Sequence, residues 1–227
     1  GGEIAIGNHL FKEGVKIYNV KIIDCTFKNF IKAINLQDVI YYDIIRNLFI
    51  DCVVAVAWVE KQNAVGNWLM QNNKFIYTKQ NSYNDGRFFY GYTNTPTKGI
   101  SNISIIDNYI EGAEWNAIGF TPNSGAIVKG NRIYYARGRG IYLYGGSNCI
   151  IEGNIVKGCS IADIALGANP YVKTSNNIIT NNQVDKLLIG VNTENNYFTN
   201  NIISDSLTDN NPDYNTKVNN IINNVLV

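Results

Sequence analysis

The feature that most constrains what this chain can fold into is a nine-fold imperfect repeat, anchored on one polar position in each copy. The anchors are Cys25, Asn47, Asn73, Asn108, Asn131, Asn154, Asn182, Asn201 and Asn224, so eight of the nine are asparagine. Successive spacings are 22, 26, 35, 23, 23, 28, 19 and 23 residues, which gives a basic period of 22 to 23 with insertions in the longer copies. Three residues before each anchor, and again two residues after it, stands an apolar side chain, from Ile22 and Phe27 in the first copy to Ile221 and Leu226 in the last. Each copy has room for two or three strands of four to six residues between Gly- and Asn-rich turns, and none for a helix. Equivalent strands must then stack in parallel on the next copy. The expected fold is all-β, a right-handed parallel β-helix of about nine coils, its hand set by the preference for right-handed crossovers. At ~4.8 Å per coil it makes a rod on the order of 40 Å long.

A second strand follows the anchor in most copies, with aligned centres at Ile34, Val56, Tyr90, Ile118, Ile141, Ile164 and Ile189. Asparagine at the anchor is expected to take a left-handed turn conformation and to bond to the coils on either side, as a polar ladder. Residues 1–19 read as an incomplete first coil or cap, and 20–227 as one β-helix domain with insertions at 77–86, 167–175 and 204–217.

Lys plus Arg is 19 and Asp plus Glu is 18, a formal charge of +1, so no global field draws nucleic acid or an acidic membrane, and neither is an expected partner. The four cysteines form no CxxC pair, and His9 is the single histidine, which argues against a zinc site, a Ser-His-Asp triad and a Cys-His pair. Each cysteine lies in an apolar run and reads as a reduced core residue. No cofactor is expected, and the residues leave open whether calcium joins the carboxylates.

Few residues are charged, 16%, yet several gather in copies three to six. Aligning Gly91-Tyr92-Thr93 with Gly119-Phe120-Thr121 stacks Arg87 beneath Trp115, places Glu114 beside Arg137, and sets Asn116 next to Arg139. Glu111, Tyr134 and Lys157 form an outward column, and Tyr142 and Tyr144 flank Leu143 facing outward. One side of the rod is then expected to show Asp85, Arg87, Glu111, Glu114, Trp115, Arg137, Arg139 and Asp163. Aromatic rings can stack on sugar faces, Arg forks can bind carboxylates or hydroxyls, and paired carboxylates can cleave a glycosidic bond. Glu111, Glu114, Asp163 and Asp85 are the candidate catalytic group. Trp115, Arg87, Arg137, Arg139, Tyr142 and Tyr134 are the candidate substrate-binding residues. Asp38 and Glu60, four residues past the second-strand centre in adjacent coils, form a secondary candidate pair. Glu114 beside Arg137 is equally what an ordinary stacked salt bridge looks like.

The segments Ile105-Ile-Asp-Asn-Tyr-Ile110, Val128-Lys-Gly-Asn-Arg-Ile133 and Ile151-Glu-Gly-Asn-Ile-Val156 resemble those of pectate-lyase-like right-handed β-helices. The resemblance is architectural, covers about 200 residues, and carries no family-specific catalytic motif. It implies a polysaccharide ligand, degraded by a glycosidase or lyase. The bacteriophage tailspike depolymerases in that superfamily look nearest, which would imply a homotrimer at an extracellular or virion-associated location. The alternative is a non-catalytic glycan-binding adhesin or a structural shaft.

Overall fold

The computed structural model describes residues 4–7, 18–36, 41–58, 65–79, 86–91, 100–167, 173–223 and 225–226. Asp38, Glu60, Asp85 and Asn224 fall outside the described residues, as do most of the 77–86 and 167–175 insertions.

Alternating apolar residues bury every second side chain of each short strand, and the strands stack as a three-sided parallel solenoid. Among the described residues the first face stacks nine strands, from Val20–Ile23 and Tyr41–Ile45 through Ile127–Lys129 to Thr216–Val218, and four short strands of the same sheet, such as Pro122–Ser124, lie beside them. The second face follows the anchor, with Thr26–Lys28, Leu48–Ile50, Lys74–Ile76 and their successors. The third includes Lys32–Leu36, Val54–Trp58, Arg87–Gly91, Ile118–Phe120, Arg139–Tyr144 and Ala162–Gly167. Ile4–Gly7 pairs in parallel with Lys32–Leu36 at the start of this face. Farther along, the single strands Gln183–Ile189 and Ile202–Asp209 each serve two faces, and the last copy has no third-face strand among the described residues. The rod therefore has somewhat fewer complete turns than its nine signature copies.

The column three residues before the anchor is continuous from Ile22 through Ile44, Met70, Ile105, Val128, Ile151 and Ile179 to Phe198. The column two residues after it starts with a ring stack, Phe27 on Phe49 at 5.1 Å between centroids. Such offset or edge contacts add to the area the rings bury.

The anchor asparagines form the expected ladder, with one change of conformation. The left-handed residue is the one before the anchor, from Asp24 and Arg46 through Gly130 to Asn219, at φ between 54° and 66°. Asp, Asn and Gly tolerate that region best. The anchor side chain turns inward instead. Asn131 Oδ1 accepts from Asn108 N and Nδ2, both at 3.0 Å, while Asn131 Nδ2 donates to Asn154 Oδ1 at 3.0 Å and to the Ile105 carbonyl at 2.9 Å. Cys25 heads the ladder through its backbone N–H on Asn47 Oδ1, and it is exposed, whereas Cys52, Cys149 and Cys159 are buried.

The ninth rung is Asn220, which accepts from Asn201 N and Nδ2, so the anchor at Asn224 is corrected to a 19-residue coil. The shift removes the insertion at 204–217. That stretch is the coil itself, made of Ile202–Asp209, a short 3-10 turn at Pro212–Tyr214, and Thr216–Val218. It also places Lys217 beneath Phe198 and Asp209 beneath Ile189, where the two charges pair. An ion pair under apolar columns opposes further strand addition. A second ladder, Asn177, Asn196 and Asn215, runs along another corner from Cys149, whose N–H donates to Asn177 Oδ1 at 2.8 Å.

Candidate functional site

The third face brings together Arg87, Trp115, Arg139 and Tyr142 of the residues that the sequence singles out, in a register one residue different from the expected one. Phe89 lies opposite Ile118, Tyr90 opposite Gly119 and Gly91 opposite Phe120. The centres at Tyr90 and Ile189 are thus corrected to Phe89 and Leu187. Phe88 and Phe89 are both fully buried, so the aromatic run enters the core one residue earlier than the Gly-aromatic match suggests. Continued back along the strand, this register sets Arg87 level with Asn116 rather than Trp115, and Asn116 is in turn level with Arg139.

Two Arg-x-x-Tyr segments now repeat two coils apart. The Arg87 guanidinium lies 4.3 Å from the Tyr90 ring centroid, and that of Arg139 lies 4.4 Å from Tyr142. A planar guanidinium stacks favourably over an aromatic ring. Arg87 is buried in its pair, whereas Arg139 is half-buried. Asn116 Oδ1 accepts the Arg139 backbone N–H at 3.0 Å. The Tyr142 and Tyr144 rings are 5.7 Å apart and tilted, with Leu143 turned into the core between them. Burial raises the Tyr142 phenol above its ordinary value. Trp115, Asn116, Arg139, Tyr142 and Tyr144 enclose a shallow recess of about 190 Å³. Gly167 lies directly under Tyr142, where even a Cβ would come within 2.3 Å of the ring.

The carboxylates do not converge on this recess. Glu114 is 4% exposed at its side chain and forms a 2.8 Å ion pair with Arg137, the stacked salt bridge. Glu111 ends the second-face strand Tyr109–Glu111, beyond the left-handed Gly112 that turns the corner. Its carboxylate accepts from Tyr109 Oη at 2.7 Å, which pushes that phenol up to about 12. The outward column of Glu111, Tyr134 and Lys157 is present on this second face, so Glu111 and Tyr134 stand apart from Trp115. Asp163 is 0% exposed and points inward. Its oxygens accept from the backbone N–H groups of Cys159 at 3.0 Å, Lys186 at 2.9 Å and Asp185. It is corrected from a surface acid to a buried clamp between coils. Among the described residues no three His, Cys, Asp or Glu gather in a metal-binding group.

Sequence reasoning missed the Arg-over-Tyr pairs, and it set Asn116 next to Arg139 without giving it a role in the site. The signal was present in the shared three-residue spacing of Arg87 to Tyr90 and Arg139 to Tyr142.

A search of curated protein sequences finds no match. Among solved structures, the fold is similar to the surface protein and adhesin PfbA of Streptococcus pneumoniae, with a TM-score of 0.53, 12% identity, and coverage of 96% of this chain and 79% of that one. It is also similar to the catalytic domain of a GH87 α-1,3-glucanase in complex with nigerose, with a TM-score of 0.51, 17% identity, and coverage of 93% of this chain and 40% of that one. At these identities the likeness is one of fold. No helix of the described residues is long and apolar enough to cross a membrane. Residues 66–203 match the model of the right handed beta helix region, which adds the hand to the parallel stacking seen above. The chain belongs to the right-handed β-helix family.

Proposed function

We propose that this chain binds a polysaccharide on its third face and holds it without cleaving it. The recess bounded by Trp115, Asn116, Arg139, Tyr142 and Tyr144 carries this reading. Its rings offer apolar faces to a sugar, while the half-buried Arg139 guanidinium offers charged donors to hydroxyls or a carboxylate. Glycosidic cleavage commonly needs two carboxyl groups about 5 to 9.5 Å apart across the scissile bond. Of the candidate acids described, one is locked to Arg137, one faces the second side and one is sealed in the core. A surface adhesin and a glucanase catalytic domain are both similar in fold, and the placement of the described carboxylates supports binding over cleavage.

Cleavage by hydrolysis or elimination is the second reading, and Glu114 favours it, as the carboxylate next to Trp115 in the chain. Titrating the protein with bacterial capsular and extracellular polysaccharides separates binding from its absence. Trp115→Ala and Tyr142→Ala should each weaken binding about tenfold, since losing one ring contact costs on the order of 1 kcal/mol or slightly more. Unchanged affinity in both variants would remove the recess from the account.

A further inference from the structure

The first face carries a second and larger groove, of about 550 Å³, which lies away from the recess and shares no lining residue with it. Five successive coils line it, so it runs along the rod for about 19 Å at the ~4.8 Å coil spacing. Its edge is a column of Asn19, Tyr41, Asn67 and Asn102, and Tyr41 is level with Asn67.

These asparagines differ from those of the ladder in what their amides do. A ladder amide such as that of Asn131 is spent on neighbouring coils. Asn19, Asn67 and Asn102 are exposed, and among the described residues their side-chain amides have no hydrogen-bond partner. Asn102 Oδ1 lies against Gly125, where a Cβ would come within 3.1 Å of it, so the glycine leaves that amide room at the rim. Each amide offers two donors and one acceptor, the complement of a hydroxyl that both gives and takes a hydrogen bond. The Tyr41 ring, 46% exposed, supplies an apolar face among them. The charged residues in the lining, Lys21 and Asp43, stand opposite each other and pair at 3.6 Å, so the groove has no net charge.

We infer that this groove is a second glycan site, one that takes a neutral, hydroxyl-rich polysaccharide laid along the rod. An anionic polymer would meet Asp43 and no unpaired cation, whereas a neutral chain meets repeated amides and a ring. This site is independent of the third-face recess and stands or falls separately.

The test is titration of the intact chain with three neutral polymers (dextran, laminarin and galactomannan) and with polygalacturonate, using affinity electrophoresis. The inference expects at least one neutral polymer to bind, with at least a tenfold loss in Tyr41→Ala and in the double variant Asn67→Ala/Asn102→Ala. These side chains are exposed, so circular dichroism and melting should match the parent. Repeating the titrations in a Trp115→Ala background, where the recess is impaired, should show the same loss in the Tyr41 and Asn67/Asn102 variants, which separates failure here from failure of the recess. Absence of binding to every neutral polymer, binding of polygalacturonate alone, or neutral binding unchanged in the Tyr41 and Asn67/Asn102 variants would each overturn it.

Discussion

Replacing Asn131 with alanine is expected to lower the unfolding free energy by about 4 kcal/mol, and the melting temperature by about 10 °C for a chain of this size. The side chain is fully buried at the middle of the ladder. Its removal leaves the Asn108 backbone N–H and the Ile105 carbonyl without the Asn131 amide as partner. Each such orphaned group costs about 1 to 3 kcal/mol. An exposed asparagine such as Asn67, changed in the same way, should alter stability by about 0.5 kcal/mol or less. Chemical denaturation of the two variants against the parent checks the contrast, and equal effects would contradict the ladder's role.

Asp163 carries the second large effect, and it separates a structural acid from a catalytic one. Asp163→Ala should destabilise the protein by about 4 kcal/mol at neutral pH, because three backbone N–H groups lose their acceptor. A surface catalytic acid would cost activity and leave stability nearly intact. Burial raises the Asp163 carboxyl above its ordinary 3.8, and the hydrogen bonds from the backbone of Lys186 and Asp185 and from Cys159 offset this only in part. The folded state therefore holds this proton to higher pH than the unfolded chain does. The proton-linked part of its stability is complete below pH 3.8 and is lost as the pH rises through the raised folded value, while the three hydrogen bonds still act at neutral pH. Relative to Asp163→Asn, which does not titrate here, the parent should lose stability with rising pH across that window. A parent that instead gains stability over that range would show the carboxyl to be lowered.

The fold was legible because the repeat constrains both sides of the coil at once. Ile22 to Phe198 and Phe27 to Ile203 stack in the columns that the Asn anchors define. The errors come where one residue type does two jobs. In Val218-Asn-Asn-Ile-Ile-Asn-Asn-Val225 both Asn pairs suit an anchor, and the apolar rule favours Asn224, since the true rung Asn220 has Lys217 three residues before it. That lysine is inward because it pairs with Asp209 at the last rung, a tertiary reason invisible to periodicity. The second ladder did leave a mark, the five-residue spacing of Asn177 to Asn182, Asn196 to Asn201 and Asn215 to Asn220.

The site was legible in part. Parity gives the outward pair Tyr142 and Tyr144 on either side of Leu143, whereas Arg139, three residues from Tyr142 in the same strand, and Trp115, in the bend before Ile118–Phe120, join them only in the folded chain. Asp163 was misplaced because, in a strand whose residues are all buried, Ala162 to Gly167, alternation no longer tells inside from outside. The groove on the first face was hidden for the opposite reason. Its asparagines look like turn architecture, and only the structure separates amides that are spent from amides that are not.

The most direct measurement of the central claim is product analysis on whichever polysaccharide the third face binds. The account predicts saturable binding that Trp115→Ala weakens, with no new reducing ends and no absorbance from unsaturated sugars over prolonged incubation. Products that form with the parent and vanish in Glu114→Gln would contradict it and make this face a catalytic one.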